Sequence, residues 1–334
     1  MPLDLVVPDL LSPADASAAL REIRLPALEK WLARADIETT VDAGMTGWLA
    51  RTFELPSPAP IAPICLAGEG EARPGAWMRA DPVHLRIERD HLALHDAAML
   101  DVTRDEADAL VAALQAHFGR DGLEFHAAAP ERWYVRVPEA ELPATTPLEG
   151  VLGRDVFGLL PRSKGAFNWR SALTEAQMVL GAHAVNAARD ARGQPAINSV
   201  WLWGEGIAPS QVKKVYALVY ADDIFARGLG ALSGAQPRPL PRAIGDVAGL
   251  RADESALVVL DRLTAGLRRG DESVWRKAAE DLDAGWFEGL GAAIARFGRV
   301  RVALPAEEGI RVATLTSASR WRWYRPRRPL AAHA

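Results

Sequence analysis

A single cysteine, Cys65, among 334 residues excludes an intramolecular disulfide and any cysteine-rich metal site, which fits a reducing compartment. Its neighbours Ile64 and Leu66 are apolar, so the thiol is expected in a core rather than as a reactive group. An excess of one charge is also lacking. The 39 Lys and Arg against 43 Asp and Glu give a formal net charge of −4, and no global field draws the chain to nucleic acid or to an anionic membrane. No apolar run is long enough to span a bilayer, and the N-terminal MPLDLVVPDL carries acids where a signal peptide would be basic. A cytoplasmic protein with no membrane partner is expected.

What remains is an ordinary globular balance, 49% hydrophobic and 25% charged, long enough for two domains or one large α/β unit. Leu3 to Val7 predicts a buried strand that delivers Asp9 at its carboxyl end, where ligand sites lie in open α/β sheets. Ser12-Pro13-Ala14-Asp15 has the form of a helix start, and the apolar spacing from Leu20 to Leu32 is helical with a break at Pro26. A second helix is expected over Thr46 to Phe53. Pro56, Pro58, Pro60 and Pro63 then have linker composition.

Beyond the linker the pattern changes to a compact α+β module over 63–149. His84 to Glu88 and His91 to Leu94 predict a hairpin around Arg89-Asp90, and Thr103 with Glu106 forms a capping box for a helix ending at Gly119. Leu123 to His126 and Trp133 to Val137 supply two more strands. A long helix is expected from Trp169 to Arg192, followed by core strands at Val215 to Tyr220, Leu257 to Leu260, Val300 to Leu304 and Ile310 to Thr316. Trp275, Ala279, Leu282, Trp286 and Leu290 form an apolar helical stripe that belongs to a core. The segment from Arg320 to Pro329 interleaves arginine with aromatics. It suits a C-terminal arm packed on its own domain or on another subunit, and alternatively a surface that stacks on single-stranded nucleic acid or sits on a membrane surface.

The most distinctive stretch is His183 to Gly206, in which a polar helix end and a Gly193/Pro195 break lead into NSVWLWGEG. Trp201 and Trp203, two residues apart, share one face of an extended strand, and Gly204 and Gly206 permit turns or close approaches that a Cβ would block.

The ordered series ICLAGEGEA (64–72), MRADPVHL (78–85), VTRDEADALVAAL (102–114), DGLEF (121–125), ERWYVRV (131–137), TTPLEGVLGRDV (145–156), AVNAARDARGQPAINSVWLWGEG (184–206) and GDESVWRKAAEDLD (270–283) resembles the archaeal type of cofactor-independent phosphoglycerate mutase. It is still more similar to bacterial relatives described as regulatory proteins of the RpfE type. The resemblance implies an α/β fold, a doubly wound alkaline-phosphatase-like core over 1–62 and 150–334 with an inserted smaller α+β domain over 63–149. It also implies a pair of divalent metals, Mn²⁺ or Mg²⁺, a serine nucleophile, and arginines that grip the phosphoglycerate.

The residues depart from that chemistry. Asp9 matches the first metal ligand, but Gly44-Met45-Thr46 stands where the family has Gly-Ser-Asp, leaving Met45 or, with a slip of one, Thr46 at the nucleophile position. The histidine-bearing ligand cluster is replaced by a segment that keeps Asp261 and has no histidine, and the Asp-His pair by Ala303 to Glu308. Five of seven histidines fall at 84–126, His333 is beside the terminus, and only His183 remains for the core. Asp222 and Asp223 are the best remaining acidic pair. Among the gripping positions, Glu69 replaces an arginine, Arg79 persists, and Arg132 either matches a third or is a surface residue of its strand. No catalytic residue, metal or cofactor is therefore expected, with Asp9, Asp222, Asp223 and Asp261 as residual metal candidates. Arg79, Asn186, Arg189, Asn198, Trp201 and Trp203 are expected to line a retained site between the domains for a small anionic ligand or a protein partner. The resulting expectation is a catalytically silent relative with a regulatory or binding role. An active mutase or phosphatase is the alternative, and nucleic-acid binding through the C-terminal Arg/Trp segment a second.

Overall fold

The computed structural model describes residues 2–11, 17–42, 44–88, 91–151, 155–247, 254–306 and 309–333. The chain divides into two compact units, one of Met1–Leu55 with Gln211–Ala334 and one of Pro56–Ser210. The insertion thus ends about sixty residues later than its composition suggests, and the NSVWLWGEG stretch belongs to it instead of returning the chain to the core. Strand pairing is the reason, as shown below.

The first unit opens with β1 (Pro2–Val6), α1 (Ser17–Glu22), α2 (Pro26–Arg34), β2 (Asp36–Thr40) and α3 (Gly44–Thr52). The break at Pro26 is real, since proline starts α2 where its missing N–H costs nothing. The helix start expected at Ser12 to Asp15 lies outside the described residues, as does the Arg89-Asp90 turn.

The second unit follows with α4 (Ile61–Gly68), β3 (Ala76–Glu88), β4 (His91–His95), α5 (Arg104–Phe118), β5 (Glu124–Ala129), β6 (Arg132–Val137), α6 (Trp169–Gly181), α7 (Ala184–Ala191) and β7 (Ser199–Ile207). The proline-rich linker is shorter than expected, because Pro63 sits in the first turn of α4, where proline is tolerated. The Thr103/Glu106 capping box is formed in both directions. The single long helix expected from Trp169 to Arg192 is two. The His183 side chain accepts a hydrogen bond from Val185 N and restarts the chain as α7.

Strand β3 organises this unit. It pairs antiparallel with β4, β6 and β7 in a five-stranded sheet, with Trp201 opposite Asp81 and Trp203 opposite Arg79. Apolar residues of β3, β6 and β7 such as Met78, Val135 and Leu202 pack with α5 and α6 on one face; Val83, Leu94, Trp201 and Trp203 cluster on the other. The two tryptophans therefore share a face as their spacing predicts. Beside them Gly206, at φ +156°, lies so close to Pro60 that a Cβ would collide with it.

The chain then returns to the first unit through β8 (Leu218–Tyr220), α8 (Ile224–Leu232), β9 (Gln236–Arg238), α9 (Ile244–Val247), β10 (Ala256–Val259), α10 (Thr264–Arg268), α11 (Glu272–Leu282), α12 (Leu290–Phe297), β11 (Arg299–Ala306) and β12 (Gly309–Thr316). Its seven-stranded sheet runs β2-β12-β11-β1-β10-β8-β9, parallel throughout except for β12. Short strands β2 and β9 had no periodic signal in the sequence. Leu3, Leu5, Val258 and Val302 pack with α2, α11 and α12 on one face. On the other, α8 comes so close that a Cβ on Gly230 would lie 3.2 Å from Val219. This is the doubly wound arrangement that alternating strands and helices produce. The stripe of Trp275, Ala279, Leu282, Trp286 and Leu290 is buried throughout, carried across a π-turn at Asp283–Phe287. No helix among the described residues is long and apolar enough to cross a membrane.

Candidate functional site

In an open α/β sheet, chemistry belongs at the carboxyl ends of the parallel strands. Asp9 follows β1, Asp222 and Asp223 follow β8, and Asp261 follows β10, so four carboxylates line one edge along three adjacent strands. Strand β2 runs in the same direction and leads into α3, whose first turn holds Met45 and Thr46, both half-buried. Two strands separate β2 from β1, which sets the strands about 14 Å apart at ordinary spacing.

The carboxylates are engaged locally. Asp9 adopts a left-handed backbone at φ 62°, its carboxylate accepts from Thr264 Oγ1 at 2.5 Å, and its carbonyl accepts from the Trp275 indole at 2.9 Å. Asp223 caps α8 by accepting from Ala226 N at 2.8 Å. Asp222 accepts from Leu240 N at 3.4 Å. Burial, followed by the neighbouring charges of Asp223 and Asp222, raises the Asp261 carboxyl to about 6. Among the described residues, no group of three or more His, Cys, Asp or Glu is spaced to hold a metal ion. His183 caps a helix of the other unit, and Glu307 and Glu308 lie outside the described residues.

The six candidate ligand residues all lie inside the second unit, and they do not form one site. Arg79 is buried, and its Nε and Nη2 donate to Asp81 Oδ1 at 2.9 and 2.7 Å. Its guanidinium lies 5.1 Å from the Tyr134 ring centroid and 5.4 Å from that of Trp203. The Trp203 indole completes the circuit by donating to Asp81 Oδ2 at 2.7 Å. Burial opposes the charge on Arg79, yet Asp81 and Tyr134 outweigh it and hold its pKa above the ordinary arginine value. Burial likewise drives the Tyr134 phenol upward, only partly countered by Arg79.

A second carboxylate adjoins this network. At the end of α4, Glu69 receives a two-pronged contact from Arg132, with Nε at 2.6 Å and Nη2 at 3.2 Å, and accepts from the Tyr134 hydroxyl at 3.3 Å. The side chain that inverts the expected charge at position 69 thus neutralises a neighbouring arginine. Asp81 and Tyr134 went unrecognised in the sequence. The available signal was Asp81 two residues beyond Arg79, which alternation puts on the same strand face.

Asn186 and Arg189 serve a different purpose. Asn186 donates to the carbonyls of Leu180 and Ile197 at 2.7 and 2.9 Å and accepts from Ile197 N at 2.7 Å, tying α6, α7 and the approach to β7 together. Arg189 is fully buried. It donates to the carbonyls of Pro195 and Leu100 and to Glu106 Oε2, each at 2.5–2.8 Å. Burial opposes ionisation of Glu106, but the Thr103 N–H and Arg189 hold its pKa below the usual range. Asn198 brackets Leu85, accepting from its N–H at 2.8 Å and donating to its carbonyl at 2.9 Å, and the Trp201 indole donates to Thr146 O at 2.9 Å. In the structure these side chains make internal ties, each with partners within the unit.

No protein-family model matches the chain. It is 26% identical over 234 residues to the 2,3-bisphosphoglycerate-independent phosphoglycerate mutase of Methanosarcina mazei, covering 63% of this chain and 58% of that protein. To the probable 2,3-bisphosphoglycerate-independent phosphoglycerate mutase of Geobacter sulfurreducens it is 25% identical over 243 residues, covering 67% and 61%. The matched region thus spans less than two thirds of each relative. In structure it is similar to the PH0037 protein of Pyrococcus horikoshii, with a TM-score of 0.58 and 14% identity over 94% of this chain and 87% of that one. The chain is homologous at low identity to the cofactor-independent phosphoglycerate mutases, with a mixed α/β fold.

Proposed function

We propose that this chain is a catalytically silent relative of the phosphoglycerate mutases that works by binding, as a regulatory protein of the RpfE type in the bacterial cytoplasm. The observation that carries the reading is the pair of internal carboxylates on the inherited arginines. Asp81 compensates Arg79 and Glu69 compensates Arg132, each through a two-pronged contact. A substrate carboxylate or phosphate would have to displace these anions or share the arginines with them, at the cost of like-charge repulsion.

The nucleophile position supports the same reading. Methionine at 45 offers no ionisable oxygen with which to attack phosphorus. The observation that favours an active metal-dependent mutase or phosphatase is the row of Asp9, Asp222, Asp223 and Asp261. Mg²⁺ and Mn²⁺ accept carboxylates, but this donor set does not fit a two-metal centre: Asp9 is bound by Thr264, Asp223 caps a helix, and among the described residues no histidine joins them. With the candidate ligand residues tied into the fold, a protein partner is a better occupant than a small anion.

Calorimetry with 3-phosphoglycerate tests this reading. The wild-type protein should give no binding heat at millimolar ligand. Submillimolar binding that is lost in Arg132→Ala would overturn it.

A further inference from the structure

Of the tryptophans, Trp77, Trp133, Trp169, Trp201, Trp275 and Trp286 are among the largest fully buried side chains, whereas Trp321 and Trp323 are 78% and 72% exposed, with Tyr324 at 69%. Three large aromatic faces open to water within four residues are unusual, since tryptophan is highly buried on average. They do not belong to a loose tail. Arg320 donates to Gly291 O at 2.5 Å; Arg322 donates to Arg34 O at 3.3 Å and to Asp36 at 2.6 Å; Arg325 donates to Ala35 O at 3.0 Å. A turn closes from Arg325 N to Arg322 O, and Leu330 beyond it is fully buried. The segment is fixed by its own arginines, which leaves its aromatic side chains exposed on an ordered backbone.

Arg327 and Arg328 are exposed and make no hydrogen bond or ion pair among the described residues. From position 320 to 328 there are five arginines and no acid, lysine or aliphatic residue; among the described residues Asp36 is the one carboxylate paired with them. Here only flat π-faces and guanidinium groups are offered, which complement bases and phosphates.

We infer that residues 320–328 form a binding surface for single-stranded nucleic acid, with Trp321, Trp323 and Tyr324 stacking on bases and Arg327 and Arg328 on phosphates. The surface uses none of the residues of the mutase-like site.

Fluorescence anisotropy of labelled oligouridylate of about 12 nucleotides tests the inference on the full chain. Binding is expected at low salt. The Trp321→Ala/Trp323→Ala variant should weaken it at least about 30-fold, because stacking contributes roughly 1–3 kcal/mol per base and 1.4 kcal/mol is tenfold. Arg327→Ala/Arg328→Ala should lower the salt slope by about 1.4, two phosphate contacts at roughly 0.7 each. All four side chains are exposed, so both variants should retain the wild-type circular dichroism. Absence of binding by the wild type, or unchanged binding by the tryptophan variant, would overturn the inference. So would equal binding of duplex, or equal competition by polyglutamate, which would reassign the patch to an acidic protein surface.

Discussion

Asp81→Ala would strip the buried Arg79 of its counter-ion. The two side chains are 7% and 3% exposed and 2.7 Å apart, so water cannot replace the lost partner. Breaking a buried pair of this kind costs about 3–5 kcal/mol, and the Trp203 indole N–H loses its acceptor as well. At about 2–4 °C per kcal/mol, the melting temperature should fall by roughly 6–20 °C. Replacing both partners, Arg79→Met with Asp81→Leu, removes the stranded charge and leaves chiefly the indole N–H unpaired, a cost of about 1–3 kcal/mol. Urea unfolding followed by circular dichroism should therefore rank the double variant above Asp81→Ala. A loss under about 1 kcal/mol for Asp81→Ala, or a double variant no better than the single, would refute the view that Arg79 is neutralised within the fold.

Other substitutions probe the remaining parts. Arg189→Ala should destabilise the protein by about 1–3 kcal/mol, since it leaves the buried Leu100 carbonyl without its donor and Glu106 with only the Thr103 N–H and Arg192; chemical denaturation reads this directly. Gly206→Ala should reduce stability by more than about 1 kcal/mol by driving a Cβ into Pro60, visible as a lower melting temperature. Asp261 has a folded pKa of about 6 against 3.8 when free, so its folded form prefers the proton. Stability from this group is full below pH 4 and is lost as pH rises through 6, by up to about 3 kcal/mol. The stability difference between wild type and Asp261→Asn should shift by that order between pH 4 and 7, and a pH-independent difference would contradict the assignment.

Local signals were legible wherever neighbours in sequence settle the structure. The Thr103/Glu106 box, the Trp275-to-Leu290 stripe, the Trp201/Trp203 face and buried Cys65 all depend on short-range periodicity or chemistry, and each is found. The second boundary of the insertion was not legible, because β7 is claimed by β3 through pairing across more than a hundred residues, which no composition shift marks. For the same reason the structural role of Arg189 is not legible in the sequence. Its partners Glu106 and Leu100 lie 83 and 89 residues away. The break between α6 and α7 is not legible, because His183 interrupts a helical pattern with a cap, and histidine gives little warning of that role.

Turnover with phosphoglycerate and added Mn²⁺ or Mg²⁺ is the most direct measurement. With Asp81 and Glu69 on the inherited arginines and methionine at position 45, interconversion of the phosphoglycerate isomers should not exceed the buffer background, and metal analysis should find no stoichiometric ion. Metal-dependent turnover that disappears in Asp9→Ala and Asp261→Ala, with both variants still folded, would contradict a silent relative and restore an enzyme.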